Sequence, residues 1–556
     1  MTKGGANDEL VFLALGGAGE IGMNLYLYGY GPAARRRWMM VDLGITFGDD
    51  SRPGVDVMMP DPAFIEERRD RLDGLVLTHA HEDHLGAVPY LWDRLRCPIF
   101  ATPFTASILR RKLSDTGFEH EARITEIPLS GRFTVGPFDL ELITLTHSIP
   151  EPNAIAIRTP AGLVLHTGDW KFDPDPVIGP AADEDALRRL GDEGTLAMVC
   201  DSTNIFTPGV SGSEADLLES LSGLIGTCKK KVVVTCFASN VARLKTISRA
   251  ARSCGRDVVA AGRSLRRFEA AARENGYLDD TPAFIDERDL GHLPDGKALI
   301  ICTGSQGEPR AALARIASGD HPNVTLERGD TVIFSSKIIP GNELSIARLH
   351  NDLVRRGIEL MTEMDHFVHV SGHPARGELA RMYRHVRPEI AVPIHGEIRH
   401  LVENSHLAGD CQVAHTVVSE NGGMIRLGPG PARVIDHVRS GRLALDGERI
   451  VPLEGELFRE RKRTLWNGHA VVSLAIDGRG RLAAAPQLTA TGLFEEGSAN
   501  SPDGILAAVD DALAGLGALE KKKDDVVGEA VRIAVRRAFR KIIGKNPVIS
   551  VHLIRL

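Results

Sequence analysis

The sequence lacks the features that would place it in a membrane, in a disulfide-bonded scaffold or in a zinc ribbon. No apolar run reaches the roughly 18–20 residues needed to span a bilayer. The seven cysteines, at positions 97, 200, 228, 236, 254, 302 and 411, are odd in number and never spaced C-x-x-C. That excludes a zinc ribbon and argues for free thiols in a reducing compartment. The opening stretch MTKGGANDELVFLALGG carries one lysine and an acidic pair before its apolar run, a poor secretory leader. These absences together lead us to expect a cytoplasmic protein without membrane contact. An excess of positive charge is missing too: 66 Lys and Arg against 74 Asp and Glu leave a net charge of −8. A nucleic-acid partner would have to be met by local clusters of cations. Internal repeats and low-complexity segments are absent as well.

What is present is a chain of 556 residues with 43% hydrophobic and 25% charged residues, long enough for several soluble domains. The first 200 or so residues alternate short β-rich runs with Gly/Pro turns and helical stretches, as α/β layers do. LVFLALGG, NLYLYGY and RWMMVDLG read as strands. DGLVLTH is a buried strand, and GAVPYLWDRL is the helix that follows it. From about Ser211, KVVVTCFASN, GRDVVAAGRSL, KALIICTGSQGEP and DTVIFSSKIIPGNE form four apolar runs that end in small polar residues. They predict a second, parallel sheet with ligand-binding loops at its carboxyl ends. After about Glu363, HFVHVSGHP and EIAVPIHGE again read as strands ending in histidine, so the second domain is an insertion into the first. GPGPARVIDH, near 428–437, reads as the start of a less structured connection. Beyond Asn467, HAVVSLAID and VVGEAVRIAVRRAFRKIIG predict a small α/β tail.

The densest chemistry lies in LVLTHAHEDHLGAVPYL, where His79, His81, Asp83 and His84 fall within six positions. Alternation forbids them from sharing one strand face, but they can converge in a tight loop after a strand. His79 and His81 would then serve one metal, and Asp83 and His84 a second. Further ligands are expected where other apolar strands end: His147 in LTHSIP, Asp169 in HTGDW and His395 in VPIHGE. The two carboxylate oxygens of Asp169 suit it to bridge two ions. His166 reads as a satisfied core histidine. GAGEIG, from Gly17 to Gly22, matches a dinucleotide fingerprint literally. A strand follows it rather than the helix that would hold a pyrophosphate, so the glycines read as a tight turn near the metal cleft. TGSQGEP lacks the G-K-[ST] ending of a phosphate-binding loop.

H-x-H-x-D-H followed by single His, Asp and His motifs resembles the metallo-β-lactamase superfamily, and VDLG around Asp42 resembles its first motif. The long insertion between Asp169 and His395 resembles the β-CASP branch, with CDSTN (Asp201), VSGHP (His373) and PIHGE (His395) similar to its additional motifs. HTGDWKFDP, DSTN, FASN, TGSQGEP, PGNE, HVSGH and PIHGE are similar to phrases of the ribonuclease J family, over residues 10 to 440 and more loosely in the tail.

The resemblance implies an α/β fold: a metallo-β-lactamase αββα sandwich with an inserted α/β β-CASP domain and a small α/β C-terminal domain. Its parts would be residues 1–210, an insertion at 211–365, a completing part at 366–445, a linker at 446–468 and the C-terminal domain at 469–556. It implies two zinc ions per subunit, with manganese as the alternative. His79, His81, His147 and Asp169 would hold one; Asp83, His84, Asp169 and His395 the other. Asp83 would also accept the nucleophile's proton, and His373 would touch the scissile phosphate and assist the leaving group. Asp42 and Asp201 would orient the ligands. A 5′-phosphate pocket is expected from Ser239 and Asn240 with His369, Val370, Ser371, Gly372 and His373.

The activity so implied is 5′-to-3′ exonucleolytic, preferring a 5′ monophosphate, with internal cutting in addition, in RNA decay and in rRNA and mRNA maturation. Single-stranded RNA would be the substrate, the assembly a homodimer or dimer of dimers, with partners in an RNA-degradation complex. The rivals are a thioester or lactone hydrolase of the same superfamily and a metal-binding RNA scaffold without catalysis. RERKR (459–463) and RRAFRKIIGK (536–545) are basic against the overall charge, and each reads most simply as a solvated face.

Overall fold

The computed structural model describes residues 8–48, 52–339, 341–494 and 503–556. The first seven residues, part of the stretch read above as a poor leader, and Pro340 of PGNE lie outside them. The chain forms two compact units that divide near residue 450.

In the larger unit, two sheets face one another. The eight-stranded sheet has the spatial order Arg433–His437, Gly423–Gly428, Glu9–Gly16, Leu25–Gly31, Arg37–Val41, Leu72–Val76, Ile99–Ala101 and Ile124–Glu126. The seven-stranded sheet runs Arg132–Val135, Phe138–Thr144, Asn153–Thr159, Gly162–His166, Thr195–Asp201, Ile390–Ile394 and His415–Thr416. The period-two alternation of a strand sorts each run between layers. Leu10, Phe12 and Ala14 point between the sheets, where they meet Leu140, Ile155, Val199 and Val392. Val11, Leu13 and Leu15 point the other way, against the helices carrying Leu91 and Ile108. On the outer face of the second sheet, Leu187, Leu379 and Met382 cover Leu165 and Met198. The order of layers is helix, sheet, sheet, helix.

The chain leaves the second sheet at Asp201 and returns at Ile390 to the strand directly beside it, parallel, with Asp201 opposite Ile394. Between these points lies a third sheet of six parallel strands, ordered Ile285–Asp286, Asp257–Ala261, Ala298–Cys302, Val232–Thr235, Thr331–Phe334 and Glu359–Met361. Its strands are apolar on both faces, as a parallel sheet covered on both sides requires. Val232 and Val234 pack on one side, and Val233 on the other.

Three expectations are corrected. Residues 366–370 form no strand: the Val368 carbonyl accepts from Arg243 Nη1 at 3.2 Å and Ser335 Oγ at 2.7 Å, so side chains supply what a neighbouring strand would. GPGPARVIDH is a tight turn followed by a paired strand, Arg433–His437, at the edge of the eight-stranded sheet. Residues 446–468, expected as a linker, hold the strand Arg449–Pro452 and the helix Glu456–Asn467, which buries no residue.

The second unit contains a three-stranded sheet with Gln487–Thr491, His469–Ile476 and Val548–Arg555 in that order. Val527, Val531, Val535 and Phe539, at helical spacing on Asp524–Ile543, pack with Ala470, Val472 and Leu474 of the sheet. Arg536, Arg537, Arg540 and Lys541 are left exposed.

Candidate metal centre

Parallel strands bring their carboxyl ends to one rim, and in α/β proteins that rim is where ligands sit. Arg37–Val41 and Leu72–Val76 are parallel neighbours and deliver Asp42 and the loop with His79 and His81. His81 precedes a single helical turn, Glu82–Leu85, which carries Asp83 and His84. From the facing sheet, Gly162–His166, Thr195–Asp201 and Ile390–Ile394 deliver Asp169, Asp201 and His395. Asp42 and His395 take left-handed backbone conformations, with φ of 61° and 51°. Such strain at non-glycine residues concentrates at functional sites. Gly44 of VDLG has no room for a side chain, since a Cβ there would lie 1.6 Å from the Asp83 carbonyl oxygen.

The ligand atoms fall into two groups that share Asp169. In the first, His81 Nδ1 lies 3.0 Å from His79 Nε2 and 3.1 Å from His147 Nε2, and Asp169 Oδ2 is 3.9 and 3.8 Å from those two imidazoles. In the second, His84 Nε2 lies 3.1 Å from Asp169 Oδ2 and 3.5 Å from Asp83 Oδ2. His395 Nε2 lies 3.3 and 3.2 Å from the same two oxygens.

The surrounding bonds decide which nitrogen of each ring carries hydrogen. Thr78 Oγ1 donates to Asp42 Oδ2 at 2.8 Å, so it accepts from His79 Nδ1 at 2.9 Å. Thr203 Oγ1 donates to the His395 carbonyl at 2.9 Å, so it accepts from His395 Nδ1 at 3.0 Å. His84 Nδ1 donates to Asp42 Oδ2 at 2.6 Å, and His147 Nδ1 to the Gly372 carbonyl at 2.5 Å. In each of these four histidines the other nitrogen, Nε2, faces inward, where its lone pair is open to a cation whenever that nitrogen carries no proton. Outer partners of this kind fix the tautomer of metal-binding histidines.

Electrostatics agree. Burial, reinforced by neighbouring imidazoles, holds His79 and His147 well below their ordinary range, and His81 is lowered to about 4 mainly by burial. These three rings are neutral. Around His84 and His395, burial alone would favour the neutral form, but the carboxylates of Asp169 and Asp83 overcome it and raise both. Asp169 Oδ1 is buried with no hydrogen-bond partner. His81 Nδ1 lies 3.0–3.1 Å from the Nε2 atoms of both His79 and His147 and can donate to only one of them, so beside the orphaned carboxylate oxygen the cluster keeps lone pairs that a cation would satisfy. The donor set fits two divalent ions with nitrogen and oxygen ligands, and the chain binds metal.

His373 joins this rim: its Nδ1 lies 2.8 Å from Asp201 Oδ2 and 3.9 Å from Asp169 Oδ2. Burial opposes its charge, but Asp201 and Asp169 outweigh that and raise its pKa. Ser371 Oγ accepts from the His373 backbone N–H at 3.1 Å, and Asn204 Nδ2 reaches the same oxygen at 3.5 Å. His369 is held neutral by burial and then by the charges of Arg243, Lys337 and Lys171, and its Nδ1 has no partner. Val370 is buried, its side chain packed on Gly212. Asn240 caps the helix Val241–Ser253 through Oδ1, and its Nδ2 donates to Glu214 at 3.2 Å, so its side chain is engaged within the protein. Ser239 sits half-buried in the same turn. No hydrogen bond joins it to residues 369–373 among the described residues.

Reading the sequence missed several neighbours. The Asn24 Nδ2 amide lies 3.0 Å from His84 Nε2 and is aimed by Tyr26, whose hydroxyl donates to Asn24 Oδ1 at 2.7 Å. Thr78 and Thr203 orient ligands, and Lys337 puts an exposed ammonium near His369. Thr78 and Thr203 lie inside quoted motifs; Asn24 and Lys337 carry no mark in residue type. His166 bonds to the Tyr28 hydroxyl at 3.1 Å and belongs to neither ligand group.

Residues 24–222 match the family described as the metallo-beta-lactamase superfamily, 229–353 the ribonuclease J beta-CASP domain, 357–408 the Zn-dependent metallo-hydrolase RNA specificity domain and 457–556 the ribonuclease J C-terminal domain. A ribonuclease J of Sinorhizobium meliloti is 44% identical over 552 residues, 99% of this chain and 98% of that protein. Those of Mycolicibacterium smegmatis and Thermus thermophilus are 38% and 33% identical, covering 96% and 99% of this chain and 93% and 96% of their own lengths. A solved structure of a protein of unknown function from Enterococcus faecalis is similar in fold alone, at 16% identity and a TM-score of 0.50 over 75% of this chain and 100% of that one.

Proposed function

The chain belongs to the ribonuclease J family and is a metal-dependent ribonuclease, and on that premise we propose that it shortens single-stranded RNA from a 5′-monophosphate end and also cuts internally. The observation that carries this reading is the juxtaposition of two ligand groups sharing Asp169 with His373, 3.9 Å from Asp169 and raised in pKa by Asp201. A thioester hydrolase expels a thiolate that needs no acid there, and neither it nor a lactone hydrolase has a use for an RNA specificity domain. A non-catalytic RNA scaffold has no use for a complete ligand set.

We assign one ion to His79, His81, His147 and Asp169 and the other to Asp83, His84, Asp169 and His395. Bound there, a pair of divalent ions would supply a nucleophile at neutral pH and neutralise charge on an in-line phosphoryl transition state. The chain's own residues do the rest. Asp83, its carboxyl held well below the usual range by His84 and His395 despite burial, accepts the proton of the attacking water. His373 donates a proton to the departing 3′ oxygen as the phosphorus–oxygen bond breaks, and Asp201 keeps that ring charged and oriented. Asp42 orients His84 and Thr78, and through Thr78 the ring of His79.

The 5′ end is read, in this proposal, by Ser239, His369, Ser371 and the backbone of 370–373, with Lys337 nearby. Asn240 shapes the turn. A terminal monophosphate carries close to two negative charges and an internal diester one, so an anion pocket gains more from the terminal group. The limits of 211 and 365 for the insertion, zinc rather than manganese, a homodimer or dimer of dimers, a cytoplasmic setting and partners in an RNA-degradation assembly belong to the same reading and rest on family membership.

The test compares 5′-monophosphate, 5′-hydroxyl and circular forms of one RNA. Charge-assisted bonds to phosphate contribute on the order of 1.5–3 kcal/mol each. The double variant Ser239→Ala/Ser371→Ala should therefore degrade the monophosphorylated RNA about tenfold or more slowly, with internal cutting little changed. A wild type that treats all three substrates alike has no 5′ pocket.

A further inference from the structure

The insertion is tethered by two crossing segments, residues 202–216 leaving the second sheet and 362–376 returning towards it. Glu378 stands where both meet the metal-binding segment. Its carboxylate is 2% exposed and makes no ion pair among the described residues. Instead Oε1 accepts from the Phe172 N–H at 2.8 Å and the Ser211 hydroxyl at 3.0 Å, while Oε2 accepts from the Ser211 N–H at 2.8 Å and the Ala375 N–H at 2.9 Å. Phe172 lies three residues beyond Asp169, Ser211 lies on the outgoing crossing, and Ala375 lies two residues beyond His373. A buried carboxylate is costly unless its lone pairs are filled, and here donors from three chain segments fill them.

Other bonds run between the same segments but join them only in pairs. Arg376 N–H donates to the Thr207 carbonyl and Gly377 N–H to that of Gly209, both at 2.9 Å. Lys171 Nζ donates to the Gly212 carbonyl at 3.0 Å. Among the described residues, the Glu378 side chain alone hydrogen-bonds to all three segments.

We infer that Glu378 is a positioning residue: by binding Phe172, Ser211 and Ala375 together it sets His373 against Asp169, and hydrolysis of RNA depends on it although it touches neither metal ligand nor substrate. The inference rests on the proposed role of His373. The leaving group separates the two kinds of substrate. The 3′ oxygen of a nucleotide is a poor leaving group that needs a correctly placed acid. p-Nitrophenolate leaves without one, so bis-p-nitrophenyl phosphate reports the metal centre without the His373 segment.

Glu378→Gln is isosteric and suits the test. The carboxamide keeps one accepting oxygen and turns an NH2 towards two donors, breaking two of the four bonds and opposing hydrogen to hydrogen. A misplacement of about 1 Å at a reacting group costs up to 10²-fold, so kcat on RNA should fall roughly 10–100-fold. KM for RNA, metal content and the rate on bis-p-nitrophenyl phosphate should stay within about threefold of wild type. Ser211→Ala, which leaves the carboxylate three donors and is the milder change to the fold, should lower kcat on RNA roughly three- to tenfold with the same split.

An unchanged kcat on RNA in both variants, or a parallel fall on both substrates, would overturn the inference. His373→Ala, measured alongside, separates the two claims. RNA cutting lost in His373→Ala but kept in Glu378→Gln overturns the positioning role alone. RNA cutting kept in both overturns the role of His373 and the inference with it. A wild type that does not cut RNA refutes the proposed function itself.

Discussion

His147 Nδ1 lies 2.5 Å from the carbonyl oxygen of Gly372, so a residue of the candidate metal centre is bonded to the loop that carries Ser371 and His373. The bond ties the Gly372 backbone to that imidazole, while the His373 side chain and the chain beyond it depend on other contacts. A Cβ on residue 372 would lie 2.7 Å from Ser148 Oγ and 2.9 Å from the His147 ring. Gly372→Ala should therefore displace the imidazole or the loop and weaken divalent-ion binding on the order of 10–100-fold. Competition against a chromophoric chelator measures this, and wild-type affinity in the variant would mean that the bond does not govern the ligand.

Thr203→Val removes the acceptor for His395 Nδ1–H without changing the volume, and Asp42→Asn weakens the acceptor for His84 Nδ1–H. Both should reduce metal affinity or activity on the order of 10–100-fold, a milder loss than removing a ligand. If either variant is as dead as Asp83→Ala, the residue is itself a ligand and its assignment here is wrong.

Acid should destabilise the fold through His166. Burial lowers its pKa to about 3 from an ordinary 6.5. Between those values the unfolded chain binds more protons than the folded one, so this contribution is present above pH 6.5 and is lost as pH falls towards 3. At about 1.4 kcal/mol per unit, the wild type should lose about 2 kcal/mol more than His166→Gln between pH 7 and pH 5. Denaturant unfolding of both proteins at the two pH values checks this. Equal losses would show that the ring is charged or solvated in the folded state.

The residues that meet around Asp169 were legible because the motif is dense and because apolar runs ending in His or Asp announce side chains at strand ends. Strands and helices of an α/β protein were legible in short apolar runs such as LVFLALGG, whereas the αββα sandwich came from the resemblance. Glu378, Asn24 and Lys171 were not legible. Each is a single residue of ordinary type with a decisive partner far along the chain, and only the fold brings Glu378 to Phe172, 206 positions away. HFVHVSGHP misled because β-branched residues suit a strand, whereas Arg243 and Ser335 bond the Val368 carbonyl from the side. Asn240 was read as facing substrate because a polar turn after a buried strand has the same composition whether it caps a helix or binds an anion.

RNA binding should be electrostatic in spite of the net charge of −8. Affinity for single-stranded RNA should fall with salt at a log–log slope of roughly −0.7 per phosphate neutralised. Filter binding of a metal-free or Asp83→Ala protein between low and moderate salt gives the slope. A flat response would mean that no basic track exists and would favour a small-molecule substrate.

RNA hydrolysis is proposed to depend on two ions held by ligand groups that share Asp169. The most direct test counts ions and activity together: metal-stripped protein titrated with zinc, the bound metal measured per chain and the rate on RNA followed at each step. Activity should be absent without metal and appear as the second ion binds. Asp83→Ala should stop at one ion and remain inactive, and Asp169→Ala should hold neither ion firmly. Full activity in the stripped protein, or in either variant, would contradict the account.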